Sequence, residues 1–307
     1  MKEATIATLR AAGLEPDDTE WIVRRALSED FRYGPDVTSL ATAGGGPTAP
    51  DGRAVTGDVV ARAHGVVAGL AVALAVADLA VADLAAPAGS VEVTAIALRG
   101  DGDRIGPGTA VLRVSGPATS VLGVERTMLN FLTHLSGIAS VTRAWVDAVE
   151  GTGAEIRDTR KTTPGLRLLE KYAVRCGGGV NHRMGLGDAA LIKDNHVAAA
   201  GGVAKAIAAI REHAPDVPLE VECDTLAEVR ESLEAGARFI LLDNMSIDEL
   251  RAAVVVARRY PGVRLEASGG LRLETARAVA LCGVDYLAVG ALTHSSPALD
   301  LGLDFTD

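Results

Sequence analysis

The C-terminal half of the chain alternates between short apolar runs and longer amphipathic segments. Each run ends on a polar residue or on glycine, which is typical of strands in a parallel sheet. The residues that end the last four runs, Glu222, Asp243, Ser268 and Gly290, stand 21, 25 and 22 residues apart, which is the length of one β/α unit. The predicted strands are AEIRDTRK (154–161), AALIKDN (189–195), PLEVEC (218–223), FILLDN (239–244), VRLEASGG (263–270) and VDYLAVG (284–290).

The segments between the later strands carry apolar residues at three- and four-residue spacing, which predicts helices. They read VAKAIAAIREH, LAEVRESLEAG, IDELRAAVVVARRY and LETARAVALCG. Six or seven β/α units in succession fit either an open doubly wound sheet or a barrel. We favour the barrel, because residues capable of chemistry end nearly every strand. An open sheet would gather such residues near one switch point.

The N-terminal half has a different pattern. Helices are predicted over 4–12 and 19–29, followed by a long irregular stretch over 34–54. Strands over 55–63, 90–98 and 109–116, with a helix over 69–86, then predict a small α+β domain. From Ser120 to Val149 the residues favour helix, and Gly137 is expected to divide this stretch into two helices.

The composition restricts the class of protein. The 307 residues carry a formal charge of −10 and are 48% apolar but only 3% aromatic, which argues against nucleic-acid binding. The three cysteines are widely spaced and odd in number, so we expect reduced thiols and a cytoplasmic location. We expect no secretion signal, because the N-terminal MKEATIATLR has no apolar core. We also expect no membrane span, because the apolar stretch 69–86 is interrupted by Asp78 and Asp83.

One window reverses the sign of the chain. Residues 157–196 contain eight Lys or Arg against four acids, a balance of +4 that leaves −14 for the rest. Such a reversal indicates an anionic ligand. The strand-end cations are Arg160, Lys161, His182, Arg183 and Lys193, and the strand-end acids are Glu222 and Asp243. Cations that bind carboxylates or phosphates, beside acids that suit Mg²⁺ or a sugar, predict a ligand with several negative charges.

The segment DTRKTTPGLRLLEKYAVRCGGGVNHRMGLGDAALIKDNH (158–196) resembles the signature of the quinolinate phosphoribosyltransferase family. The likeness extends along essentially the whole chain and preserves the family's order of motifs. The other matching stretches are GPDVTSLAT (34–42), ARAHGVVAGL (61–70), ERTMLNFLTHLSGIAS (125–140), EVECDTLAE (220–228), LLDNMS (241–246), EASGG (266–270) and LTHSSPALDLGLDF (292–305).

The resemblance implies a fold and an assembly. An N-terminal α/β sandwich domain over 1–116, rejoined by residues 291–307, would precede an incomplete seven-stranded α/β barrel over 117–290. It also implies a homodimer, or a higher oligomer built from it, in which Arg126 reaches across the interface into the partner's site.

The resemblance further implies a reaction and its residues. Phosphoribosyl pyrophosphate and quinolinate would give nicotinate mononucleotide, pyrophosphate and CO₂, as in NAD biosynthesis. Lys161, Glu222 and Asp243 would be catalytic, and Glu222 and Asp243 would hold Mg²⁺ directly or through water. The implied quinolinate contacts are Arg126, Arg160, His182, Arg183 and Lys193, and the implied sugar-donor contacts are Lys161, Lys193, Glu222, Asp243, Ser268, Gly269, Gly270 and Gly290.

The residues also permit other interpretations. The same fold could use nicotinate or another heterocyclic base, Lys193 could form a Schiff base as in an aldolase, or the cavity could bind anions without catalysis. Glu220 competes with Glu222, because both lie on the same face of their predicted strand. His182 could cap the following turn rather than bind a ligand. Four further cations are expected to be surface charges outside the site: Arg157, Arg167, Lys171 and Arg175.

Overall fold

The computed structural model describes residues 1–44, 53–83 and 93–306. The chain forms two compact units. The first comprises residues 1–141, 163–177 and 295–307, and the second comprises 142–162 and 178–294. The sequence-based division at residue 116 is drawn differently, since residues 117–141 and 163–177 lie in the first unit. In the described residues, no helix has both the length and the apolarity needed to cross a membrane.

The first unit contains an antiparallel sheet of four strands in the order β12, β1, β5, β3. The C-terminal strand β12 pairs along β1, so the last residues return to the first domain, as the resemblance implies. Residues 45–52 and 84–92, which include parts of the predicted loop, helix and strand, lie outside the described residues. The elements are α1 Glu3–Ala11, α2 Pro16–Asp30, α3 Val37–Thr42, β1 Ala54–Ala61, β2 Gly65–Val66, α4 Leu70–Asp83, β3 Thr94–Ala97, β4 Arg104–Ile105, β5 Ala110–Pro117, α6 Arg167–Cys176 and β12 Leu301–Phe305.

The long helical stretch is one helix, α5 Ala118–Ala148, so the prediction that Gly137 divides it in two is wrong. Gly137 has a packing role instead. A Cβ built at this position would lie 2.1 Å from the carbonyl oxygen of Pro297. Glycine is therefore present because the segment that leads to β12 runs directly against the helix, and it does not break the helix.

The second unit contains a parallel sheet of six strands in the order β6, β11, β10, β9, β8, β7. All six predicted strands and all four predicted intervening helices are present. The strands are β6 Glu155–Arg157, β7 Ala190–Ile192, β8 Leu219–Cys223, β9 Phe239–Asp243, β10 Arg264–Ser268 and β11 Tyr286–Ala288. The helices are α7 Asp194–Ala200, α8 Val203–His213, α9 Leu226–Glu234, α10 Ile247–Ala257, α11 Leu273–Ala280 and α12 Ala291–His294.

The predicted α/β class and the separate N-terminal domain are confirmed, but the strand count differs from seven. Val180 makes a single parallel bridge to Arg157 and forms no extended strand. The strands at the two edges of this sheet are β6 and β7, and no closed barrel is found in the described residues. The physical reason is local, since Val180 follows three glycines and precedes a loop with further glycines, which favour turns over ladder pairing.

Short capped connections follow the strands that carry the acidic residues. Thr225 and Glu228 form a capping box at the start of α9, directly after β8. Ser246 and Glu249 do the same for α10, directly after β9. A capping box satisfies the first free N–H groups of a helix and fixes where it starts. These caps therefore fix the chain just beyond the carboxyl ends of β8 and β9.

Candidate active site

A cavity of about 380 Å³ lies in the second unit at the carboxyl ends of the parallel strands. Larger cavities of about 720 and 500 Å³ lie in the first unit beside α2. The cavity of the second unit is the candidate active site, because the strand-end cations and acids line it and do not line the larger cavities. It is lined by Thr159, Arg160, Lys161, His182, Arg183, Leu191, Lys193, Glu222, Leu241, Asp243, Glu266, Ser268 and Ala288.

Eight of the residues singled out from the sequence line this cavity. They are Arg160, Lys161, His182, Arg183, Lys193, Glu222, Asp243 and Ser268. Gly290 lies close by, since a Cβ there would be 3.0 Å from the Lys161 side chain. Gly269 and Gly270 directly follow β10. Arg126 is exposed on α5 and belongs to the first unit, so it is not among the lining residues.

The strand register brings these residues together. Ladder partners in a parallel sheet point to the same face. Glu222 is opposite Leu241, and Asp243 is opposite Ser268. The ends of β8, β9 and β10 therefore present two carboxylates and a hydroxyl side by side.

Charge is balanced at one point of the cavity wall. The Lys193 ammonium forms an ion pair with the Glu222 carboxylate, and both side chains are partly exposed. Lys193 also precedes α7, where its backbone N–H donates to His196 Nδ1 at 3.0 Å. An ion-paired lysine at this point of the wall suits the binding of an anionic ligand.

The two arginines of the wall are crowded and partly buried. Arg183 donates from its guanidinium to the Ala189 carbonyl at 2.9 Å. Burial lowers its pKa, and the neighbouring charge of Arg160 lowers it further. Arg160 Nε is buried without a hydrogen-bond partner in the described residues. A buried donor without a partner is costly, so an anion that accepts from it would be stabilised.

The Gly269-Gly270 pair has a structural reason beyond phosphate binding. A Cβ at Gly269 would lie 2.3 Å from Asn244 Oδ1, and the residue has φ +80°. Asn244 is itself left-handed at φ 53° and donates its side-chain amide to Asp243 at 2.6 Å. Gly269 thus allows Asn244 to approach, and Asn244 in turn orients Asp243.

The comparisons with known proteins agree with this geometry. The family models of the N-terminal and C-terminal domains of quinolinate phosphoribosyl transferase match residues 36–136 and 138–304. The chain is 53% identical over 284 residues to the nicotinate-nucleotide pyrophosphorylase [carboxylating] of Mycobacterium leprae, covering 92% of this chain and 95% of that protein. The chain belongs to the quinolinate phosphoribosyltransferase family.

Other relatives support the same membership. The chain is 41% identical over 251 residues to a probable nicotinate-nucleotide pyrophosphorylase [carboxylating] of Bacillus subtilis, covering 81% of this chain and 83% of that protein. The crystal structure of NadC from Streptococcus pyogenes superposes with a TM-score of 0.83 at 40% identity, covering 96% of this chain and 99% of that chain.

This member of the family has a buried charged layer beneath the cavity that the sequence analysis missed. Arg157 was expected at the surface, but its side chain is only 15% exposed and donates to Glu266 at 2.6 Å. Its guanidinium also lies over the rings of Phe239 and Tyr286, about 5 Å from each centroid. Glu266 is fully buried. The expectation for Arg157 is therefore wrong, and Glu266 had no assigned role.

His182 connects the cavity to this layer. Its Nδ1 accepts the Arg183 backbone N–H at 2.7 Å, so its ring proton is on Nε2. Nε2 lies 2.9 Å from Glu220 and 3.6 Å from Glu266. Asp158, fully buried, accepts the His182 backbone N–H at 2.8 Å. His182 thus lines the cavity while both of its ring nitrogens face protein groups.

Glu220 and Glu222 lie on the same face of β8 at different depths. Glu222 lines the cavity, whereas Glu220 is only 4% exposed and lies beside His182. Burial raises the pKa of Glu220 to about 7, although Arg157 and Arg183 act in the opposite direction. Alternation along β8 and β10 could have suggested Glu220 and Glu266 as a deeper pair, but burial is not readable from spacing.

A further buried acid lies in the first unit. Glu170 is fully buried and lies 2.9 Å from His134 Nε2. It also accepts the Thr163 backbone N–H at 3.0 Å. The neighbouring Lys171, which was expected at the surface, is fully buried, so that expectation is also wrong.

Proposed function

We infer that the protein transfers the phosphoribosyl group of phosphoribosyl pyrophosphate to quinolinate, with decarboxylation to nicotinate mononucleotide, pyrophosphate and CO₂. The observation that carries this inference is that strand-end cations and strand-end carboxylates line the same cavity. The donor and the acceptor are both anionic, which suits the cations, and the reacting sugar becomes positively charged, which suits the carboxylates. The reaction belongs to NAD biosynthesis.

The cationic wall is the proposed quinolinate site. Arg160, Arg183 and Lys193 would bind the two adjacent ring carboxylates, with the arginine forks matching carboxylate oxygens. This grip would aim the ring nitrogen at the anomeric carbon of the sugar, and such positioning supplies several kcal/mol of catalysis. His182 would contribute by shaping the wall, because both of its ring nitrogens have partners in the protein.

The acidic end is the proposed sugar-donor site. Glu222 and Asp243 would stabilise the positive charge that develops on the ribose, directly or through its hydroxyls. Lys161 and Lys193 would neutralise the pyrophosphate as it leaves. The turn after Ser268, with Gly269 and Gly270, would offer backbone N–H groups to phosphate oxygens, and Gly290 would leave room for Lys161.

Magnesium is part of this proposal. The donor set suits it, because two partly exposed carboxylates lie at the ends of neighbouring strands, and Mg²⁺ takes one or two carboxylates together with water and substrate phosphates. Glu222 and Asp243 would hold the ion, directly or through water. The ion would supply charge neutralisation for the departing pyrophosphate.

Decarboxylation follows from the chemistry of the product ring. Once the ring nitrogen is bonded to the sugar, its positive charge stabilises the electron pair that stays on the ring when the C2 carboxylate leaves as CO₂. A proton then replaces the lost group. No covalent bond to the enzyme is required, so the residues contribute orientation and electrostatics.

A cytoplasmic location, supported by three free thiols, is part of the same proposal. The proposed assembly is a homodimer in which each subunit contributes Arg126 to the site of its partner. The sharing of sites is testable by mixing inactive Arg126→Ala and Glu222→Ala proteins. If the sites are shared, a randomised mixture should recover roughly a quarter of the wild-type activity, because half of the dimers are hybrids with one intact site each. A mixture as inactive as its components would reject the shared site.

The direct test of function is release of CO₂ from carboxyl-labelled quinolinate with phosphoribosyl pyrophosphate and Mg²⁺. We expect Arg160→Ala chiefly to raise the KM for quinolinate and Glu222→Ala chiefly to impair use of the sugar donor. Nicotinate in place of quinolinate tests the choice of base. Absence of both CO₂ and nicotinate mononucleotide with the wild-type protein would end the proposal.

A further inference from the structure

The buried layer beneath the cavity contains an acid that the proposed mechanism does not use. Glu266 lies on β10, fully buried, and is among the residues that form the cavity wall. One of its carboxyl oxygens accepts from Arg157 at 2.6 Å. The other oxygen, Oε1, is buried without a hydrogen-bond partner in the described residues. An ionised carboxylate with an unsatisfied oxygen is costly in such a place, and protonation removes the charge, which is the larger part of that cost.

The surroundings of Glu266 strengthen this reasoning. Glu220, a second buried carboxyl, faces the same His182 nitrogen as Glu266, and two nearby carboxylates resist joint ionisation. Burial, and after it the like charge of Glu220, raise the pKa of Glu266 to about 7 against the opposing effects of Arg157 and His182. The titratable and charged groups around Glu266 are Arg157 on β6, Glu220 on β8, Tyr286 on β11 and His182 in the loop before β7.

We propose that Glu266 carries a proton while the diacid is bound, and that its ionisation weakens binding, so that Glu266 determines how strongly this wall attracts anions. The inference rests on the proposed function, which supplies quinolinate as the diacid. Protonated Glu266 leaves the charges of Arg160, Arg183 and Lys193 available to the substrate. Ionised Glu266 adds a negative charge to the same wall.

A metal ion is the competing explanation for this cluster. His182, Glu220 and Glu266 offer ligand atoms within 4.8 Å of one another. The geometry disfavours metal binding, because the ring proton occupies Nε2, the nitrogen that faces the acids. The guanidinium of Arg157 is also bonded to Glu266, and a second positive charge would be repelled there.

The test measures quinolinate binding by titration calorimetry between about pH 6 and about pH 8.5, across the expected titration near 7. In the wild type, Kd should rise about tenfold over this range, as expected for one partly compensated charge near a dianion. In Glu266→Gln, which imitates the protonated acid, Kd should stay near the low-pH value throughout. Glu170→Gln, a buried glutamate of the first unit, is the matched control and should keep the wild-type rise.

The outcomes separate this inference from the proposed function. A wild type that neither binds quinolinate nor releases CO₂ refutes the function. A functional wild type whose pH dependence of Kd survives in Glu266→Gln refutes only the role of Glu266. Tight zinc binding by the wild type that is lost in Glu266→Gln would likewise overturn it in favour of a metal site.

Two further measurements keep the proposal testable if Glu266→Gln does not fold. Glu220→Gln removes the like charge and should move the rise in Kd to lower pH, and an unchanged midpoint would count against the proposal. In the wild type alone, calorimetry in buffers of different ionisation enthalpy should show proton uptake on binding near pH 7. Binding without proton uptake would refute it.

Discussion

Replacing Gly137 by alanine tests why the long helix α5 is continuous. A Cβ at this position would lie 2.1 Å from the Pro297 carbonyl oxygen and 3.1 Å from the Ala298 Cα. Both are backbone atoms, so neither can rotate away. The segment itself is held close to the helix, because Leu299 donates its backbone N–H to the Thr133 carbonyl at 2.9 Å. Either the helix or the segment must therefore move to accept a methyl group.

Two opposing effects set the magnitude. Alanine favours a helix interior over glycine by about 1 kcal/mol. Overpacking costs about 1–3 kcal/mol, and the upper end applies here because backbone must shift. We expect a net loss of about 1–2 kcal/mol in the free energy of unfolding, which lowers the thermal midpoint by roughly 2–6 °C for a chain of this size.

Gly123→Ala provides the control in the same helix. A Cβ at Gly123 would lie 3.5 Å from the Phe31 ring, an ordinary van der Waals contact. This variant should gain up to about 1 kcal/mol and melt at or above the wild-type midpoint. Scanning calorimetry of the three proteins at one heating rate measures both effects. A Gly137→Ala protein that melts as high as Gly123→Ala would refute the packing explanation.

Three further predictions follow from the site and the core. Gly269→Ala should displace the Asn244 side chain, which orients Asp243, and should therefore raise the KM for phosphoribosyl pyrophosphate by about tenfold or more in steady-state assays. Gly270→Ala is the control and should change this KM far less, because a Cβ at Gly270 would lie 3.9 Å from its nearest neighbouring atom. Arg157→Ala should cost about 3 kcal/mol in denaturation experiments because it leaves a buried acid without its ion pair. The exposed Arg251→Ala should stay within about 0.5 kcal/mol. Burial raises the pKa of Cys223 to about 11, so at about pH 8 iodoacetamide should label this thiol in urea but not in the native protein, as mass spectrometry would show.

The elements of the second unit were predictable because each carries its own local signal. Helix α8 matches the predicted segment VAKAIAAIREH residue for residue. Its apolar residues recur at helical spacing, and the neighbouring strands are short apolar runs bounded by polar residues or glycine. Local pattern and tertiary structure agree here, so periodicity was sufficient to find these elements.

The failures arise where long-range packing decides. Gly137 carries the local signal of a helix breaker, but a segment 160 residues further along the chain explains it. Lys171 and Arg157 carry the local signal of surface charges, and only the tertiary fold buries them. The resemblance implies seven strands, and at Val180, whose surroundings are rich in glycine, only a single bridge forms.

The position of each strand residue along its own strand is visible in the sequence, whereas its level relative to other strands is not. Alternation places Glu220 and Glu222 on one face of β8, and Glu266 and Ser268 on one face of β10. The ladder then places Glu222 and Glu266 opposite the same residue, Leu241. Glu222 is partly exposed and pairs with a cation of the wall, whereas Glu266, at the same level, is fully buried against Arg157. The same residue type at the same level therefore has two different environments, and the difference comes from the neighbouring cation and the burial that register and packing create.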